Sequence, residues 1–287
     1  MSSTQLDDDE TGLVPIRGLE GGGSRRRILT PSRRSAIIGI CSIVGVFILW
    51  QVLGMYVLNP LFLPPPTAIW ERFIELIHTG VRGVTLGQDI VASSQAYFAG
   101  LALAIVIGGA VGIAMAASRT IRDVLDPWVA VLNATPTIAL APIFILVFGL
   151  GVTSKIAVCA LVMVFPILVN TYSGFSNTDA SLVEAAKSFG ASNRQIYTKV
   201  KLPMAVPYLI AALRLAAAHG LVGIVISELF GANAGIGLLI LNSANTFDSR
   251  GLFVGIIILG AAGTIITYGL LAIERHLGRW RRSENGE

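Results

Sequence analysis

Six long apolar stretches punctuate this chain, and five of them hold no ionised side chain at all. A helix facing lipid needs about 20 mostly apolar residues, and a charge within it is costly. The stretches place membrane spans at residues 36–58, 93–117, 128–150, 156–175, 204–232 and 252–273. The fifth alone carries charges, Arg214 and Glu228. Only 13% of residues are charged and 54% are apolar, whereas a soluble domain carries about 25% charged residues. That balance excludes an ordinary soluble enzyme and a chain disordered throughout, and it sets the fold class as an all-α polytopic membrane protein.

Basic residues orient the spans, because cytoplasmic loops retain Lys and Arg. With the N-terminus inside, sixteen basic residues fall in inner segments and four (Arg72, Arg82, Lys155 and Arg250) in outer ones, with Arg214 left in a span. Both termini are therefore expected in the cytoplasm. The run Arg25, Arg26, Arg27 reads as a topology signal beside the first span and not as a nucleic-acid site. Residues 1–35, with an acidic block at 7–10 and three glycines at 21–23, read as a disordered cytoplasmic tail, residues 36–275 as the six-span domain, and residues 276–287 as a second cytoplasmic tail. Residues 67–78 set Ile69, Trp70, Phe73, Ile74 and Ile77 on one face, as a helix lying on the outer membrane surface would. Cys41 and Cys159 lack CxxC spacing and read as small apolar fillers.

One loop, residues 176–203, is dense in local signals. Ser181 to Glu184 and Ser192 to Gln195 read as capping boxes opening two short helices. Gly190 between them suits a left-handed helix end, and Pro203 marks the start of the fifth span. Val183, Ala186 and Phe189 are expected to pack together, with Lys187, Arg194, Lys199 and Lys201 facing water or a partner.

Glu184-Ala185-Ala186, then Gly190, then Val200-Lys201-Leu202-Pro203 resembles the EAA loop of ATP-binding-cassette importer permeases, with Val200 in place of an isoleucine. Leu63-Pro64-Pro65-Pro66-Thr67, the stretch from Ala134 to Pro142, and Phe148-Gly149-Leu150-Gly151 resemble the nitrate, sulfonate and taurine branch of that family. The resemblance runs from about residue 63 to the C-terminus. It implies a type I importer permease fold in a bacterial inner membrane, and a small anionic solute delivered by an extracytoplasmic binding protein. It also implies a homodimer of this chain engaging two ATPase subunits. Within the loop it implies that Glu184 holds the fold, Ala185 and Ala186 allow close approach, Gly190 is the hinge, and Leu202 and Pro203 anchor the loop to span five. The chain has no Gly-Lys dipeptide and hence no phosphate loop. ATP and Mg are therefore expected on the partner, and no cofactor, metal or catalytic group is expected here.

Arg214, Glu228, Asn133 and Thr135 are candidates for the translocation path, since polar groups within spans are expensive; Thr137, Asn170 and Ser227 are candidates for hydrogen bonds between helices. The alternative class is a secondary transporter without an ATPase, which needs an intramembrane ion or proton site; no pair of intramembrane acids is evident to supply one. A membrane enzyme needs a cluster of reactive side chains, and His78, His219 and His276 are scattered.

Overall fold

A computed structural model describes residues 33–277, with the side chains of residues 37–274. The tails expected over 1–35 and 276–287 fall almost wholly outside the described residues. Among the described residues, those from 33 to Val46 and those from Phe47 to 277 fall in separate units, and the features treated below lie in the second. Its helices are the end of α1 (Arg33–Val52), α2 (Pro66–His78), α3 (Leu86–Ala117), α4 (Arg119–Ala134), α5 (Ala141–Phe148), α6 (Val152–Ser176), α7 (Ala180–Ser188), α8 (Asn193–Gln195), α9 (Leu202–Gly231), α10 (Ile236–Asn245) and α11 (Ser249–Leu277). Five helical stretches have the length and apolarity to cross a membrane, and a sixth does if α4 and α5 are counted as one broken span.

The core is α6, wedged between α3 and α9. A stripe of small residues on α3, Gly100, Ala104, Gly108 and Gly112, recurs every four positions and lies buried against α6. A Cβ on Gly112 would stand 2.7 Å from the carbonyl oxygen of Leu168, so the two backbones meet as membrane helices do where side chains are smallest. Tyr97, Cys159, Met163, Ile167, Ala216 and Ile224 fill the remaining space.

Because the helices alternate in direction, the bundle has two ends. One gathers the turn before α3, the start of α6, the end of α9 and all of α10. The other gathers the end of α6, α7 and α8. At the first end Arg72 of α2 bonds Asp248 at 2.8 Å, fastening α2 to the turn before α11.

The structure departs from the sequence-based expectation at four places. The third span, expected over 128–150, is bent by 88° between α4 and the helical stretch Thr137–Phe148. The cause is Pro136, which drives the preceding Thr135 out of the helical region to ψ 133°. The fifth span does not begin at Pro203; the helix is continuous over Asn193–Gly231. It reaches Pro203 through a π-helical turn, Ile196–Lys201, and the wider turn relieves the clash a proline ring makes with the carbonyl four residues back. The ten-residue helix α10 is not foreshadowed by the hydropathy pattern, being too short to register as a span. Finally, α2 turns Ile69, Phe73 and Leu76 inward and leaves Trp70, Ile74 and Ile77 exposed, so its apolar residues do not share one face.

Two glycines three positions apart test the packing. Gly112→Val forces a branched side chain into the α3–α6 contact and is expected to cost about 1–3 kcal/mol, read as a lowered melting temperature in detergent. Gly109→Val, where an added Cβ meets nothing within 4 Å, is expected to melt as the wild type does. Equal melting of both variants contradicts the packing described.

Candidate functional site

Two features stand out, one at each end of the bundle. At the α7 end, residues 177–192 form a projection ahead of the long helix that begins at Asn193. Helix α7 is capped by Asp179, whose carboxylate accepts from the Ser181 amide at 2.9 Å, and that bond holds the carboxyl below its ordinary range. The expected Ser181 to Glu184 capping box is absent: Ser181 lies inside the helix and Glu184 is exposed on it. A residue with two acceptor oxygens beside the first free amides wins the cap. At the far end of α7, Gly190 stands at φ +79°. The Gly190 amide donates to Lys187 at 2.8 Å and the Ala191 amide to Ala186 at 3.0 Å. That pair of bonds closes the helix, and only a left-handed residue between them permits it. Ser192 then opens α8 with the expected capping box.

Phe189, expected to pack with Val183 and Ala186, is instead 92% exposed at the tip. The helix end positions it there, since the chain reverses at the next residue. Of the motif, Glu184, Ala185, Ala186 and Gly190 lie on the projection, whereas Val200, Leu202 and Pro203 lie on the long helix behind it. That helix is braced against the end of α6 by the stacked rings of Phe175 and Tyr197, centroids 6.3 Å apart, with Lys201 4.7 Å above the Tyr197 ring.

The opposite end holds a buried polar knot. Lys155, expected from the sequence in an outer loop, sits in the first turn of α6 with 3% of its side chain exposed, and bonds Glu228 of α9 at 3.2 Å. Its Nζ also donates to the Ala234 carbonyl at 2.5 Å. Glu228 accepts from the Ser93 hydroxyl at 2.8 Å and from the Gly237 amide at 2.8 Å. Ser93 accepts from the Ile236 amide, and Asp89 accepts from the Gly235 amide at 2.7 Å. Three successive amides at the start of α10 thus have acceptors on α3 and α9. Gly235 is required here: it stands at φ +145°, and a Cβ on it would fall 2.1 Å from Glu228 Oε1.

The path candidates are not brought together. Arg214 pairs with Glu274 of α11 and is half exposed. Asn133 and Thr135 lie at the bend after α4, with Asn133 exposed and Thr135 bonded to its own helix at Val131. Asn170 and Ser227 likewise bond their own helices, at Pro166 and Ile224, and do not cross between helices. Sequence reasoning missed Asp89, Ser93 and Lys155, and it counted Glu228 as a lone intramembrane acid; Asp89 and Glu228 in fact cap neighbouring amides. Among the described residues no His, Cys, Asp or Glu cluster could hold a metal.

The family model described as binding-protein-dependent transport system inner membrane component matches residues 100–279. The chain is 31% identical over 232 residues to the taurine transport system permease protein TauC of Escherichia coli K12, covering 80% of this chain and 84% of that protein. It is 33% identical over 242 residues to the putative aliphatic sulfonates transport permease protein SsuC of Bacillus subtilis 168, covering 84% and 86%. In fold it is similar to a chain of the MetNI methionine ABC transporter in an inward-facing conformation. That match has a TM-score of 0.60 at 18% identity and covers 73% of this chain and 99% of that one.

Removing one partner of a buried ion pair costs about 3–5 kcal/mol, because the other charge is stranded. Lys155→Met is therefore expected to melt well below the wild type, and Lys155→Met with Glu228→Gln to recover part of the loss. A double variant no more stable than the single one shows that the two side chains are not coupled.

Proposed function

The chain belongs to the family of binding-protein-dependent transport system inner membrane components, the permeases of ATP-binding-cassette importers, and from that premise we propose that it carries a small sulfonate inward under the drive of a separate ATPase docked on α7. The observation that carries the coupling half is the exposed tip of that helix. An aromatic ring 92% exposed beside a glycine-locked reversal is costly to leave in water and gains by insertion into a partner. The substrate half is supported by two relatives, each at least 31% identical over 80% or more of the chain, whose names give taurine and aliphatic sulfonates. The solute reaches the permease on an extracytoplasmic binding protein.

The α7 end faces the cytoplasm in this reading, together with both termini. With Lys155 buried in the knot, Arg72, Arg82 and Arg250 are the basic residues left in the outer segments, which supports that orientation. One chain offers one projection and so engages one ATPase subunit. A two-fold pair of identical chains supplies the second, giving two permease and two ATPase chains with ATP and Mg on the latter.

Phe189→Asp is expected to cut ATPase attachment and sulfonate uptake at least tenfold while the membrane domain stays folded. Gly190→Val, which strains the backbone by about 1 kcal/mol or more without any steric clash, is expected to lower uptake more mildly. Native mass spectrometry of the purified complex is expected to give two copies of each chain. ATPase attachment unchanged in Phe189→Asp, or a transport-competent complex with one permease chain, overturns the proposal; uptake of nitrate without sulfonate overturns the substrate class.

A further inference from the structure

A cavity of about 210 Å³ opens beside the buried knot, at the opposite end of the bundle from the α7 projection. It is smaller than the 300–1,000 Å³ typical of sites for drug-sized ligands, so it takes only a compact solute. Its rim holds Arg82 and Asn233, both exposed; deeper in lie Asp89, 4% exposed, and Asn242, 7% exposed; Val84 and Leu239 add apolar wall. Asn242 is the informative residue. The residue is 7% exposed, its side chain makes no hydrogen bond among the described residues, and its amide atoms are not enclosed, so they are left to the cavity that the residue lines. Asp89 offers a second unused group: Oδ1 takes the Gly235 amide at 2.7 Å, and Oδ2 has no partner among the described residues.

Arg82 is held in place at a cost. The chain reverses between Val81 and Val84, which exchange two backbone bonds of 2.9 and 3.0 Å. Arg82 and Gly83 at the turn's centre stand at φ +51° and +80°. Both central positions of such a turn favour glycine or asparagine, so an arginine there is backbone strain retained at a rigid point. The turn sets Arg82 at the mouth of a cavity that also has two amide side chains in its lining.

We propose that this cavity is a binding site for a compact zwitterion, with an oxyanion held by Arg82, Asn233 and Asn242 and an ammonium by the free oxygen of Asp89. The charged groups separate along the cavity, cationic at the rim and anionic deeper in, with Val84 and Leu239 as apolar wall. That the oxyanion is a sulfonate rests on the transport proposal; the zwitterion does not.

The test uses the permease–ATPase complex in nanodiscs, without binding protein, titrated calorimetrically with 2-aminoethanesulfonate, 3-aminopropanoate, ethanesulfonate and ethylamine. Saturable binding of at least one of the two zwitterions is expected, with ethanesulfonate and ethylamine each at least tenfold weaker. Arg82→Gly is the decisive variant, because glycine suits the turn and only the guanidinium is lost. It is expected to weaken zwitterion binding at least tenfold with no fall in melting temperature, and Asn242→Leu to weaken it similarly. Binding unchanged in both variants, no saturable binding of either zwitterion, or ethanesulfonate binding as tightly as 2-aminoethanesulfonate overturns the site. Cellular uptake separates the two readings. Sulfonate uptake without a functioning cavity refutes this site and leaves transport standing. Arg82-dependent binding of 3-aminopropanoate in a complex that takes up no sulfonate leaves the site standing and refutes the transport reading.

Discussion

An amide with no acceptor is expensive anywhere water is scarce, and the start of α10 places three in a row inside the packed body. Within a membrane a chain can leave the helical conformation only where the freed groups are answered by other protein atoms. Here Asp89, Ser93 and Glu228 answer the amides of Gly235, Ile236 and Gly237, and Lys155 answers the Ala234 carbonyl. The break after α9 is thereby tolerated, and everything beyond it, α10 and the approach to α11, is placed by that exchange. The Lys155–Glu228 pair does not add stability in proportion to its charge, since desolvating both ions offsets much of their attraction. Its consequence is positional: one buried centre joins α3, α6, α9 and α10.

The remaining contacts of the body are of the opposite kind. Between α3 and α6 there is little chemistry, only small residues that let two backbones approach, and apolar residues fill the gaps without fixing a register by themselves. The body therefore has directional contacts at one end and non-directional close packing along its length. The α7 end is again directional, but its caps serve a projection exposed to solvent. Such an arrangement keeps the helices packed over most of their length while each end holds its own geometry.

What the sequence disclosed follows the same division. Long charge-free intervals located α1, α3, α6 and α11, because lipid exposure demands them over a whole span, and the loop signals located α7, Gly190 and α8 because capping is local. The knot was illegible because it is neither long nor local. Lys155 and Glu228 are 73 positions apart, and a lysine at the edge of an apolar run looks the same whether it faces water or a buried carboxylate. Helix α10 was invisible for want of length, and the bend at Pro136 was readable as a kink but not as a turn of 88°. The Ser181 box failed for a simpler reason: two caps two residues apart compete, and Asp179 is the better acceptor. In the candidate site, the first half of the motif falls on the projection, while the capping role read for Glu184 belongs to Asp179.

The continuity of the fifth span ties the two ends together. From Asn193 to Gly231 the helix runs for 39 residues, roughly 58 Å at 1.5 Å per residue. It starts at the capping box that follows Gly190 and ends at the residues that carry Glu228 and lead into α10. A break at Pro203, as the sequence suggested, would have let the projection move while the span stood still. With no break there, a displacement of the α7–α8 corner has only the π-helical turn at Ile196–Lys201 in which to dissipate, and that turn is braced by Tyr197 against Phe175 of α6. The projection and the knot are therefore joined by one helix whose sole departure from regular α-helical hydrogen bonding among the described residues is that π-helical turn.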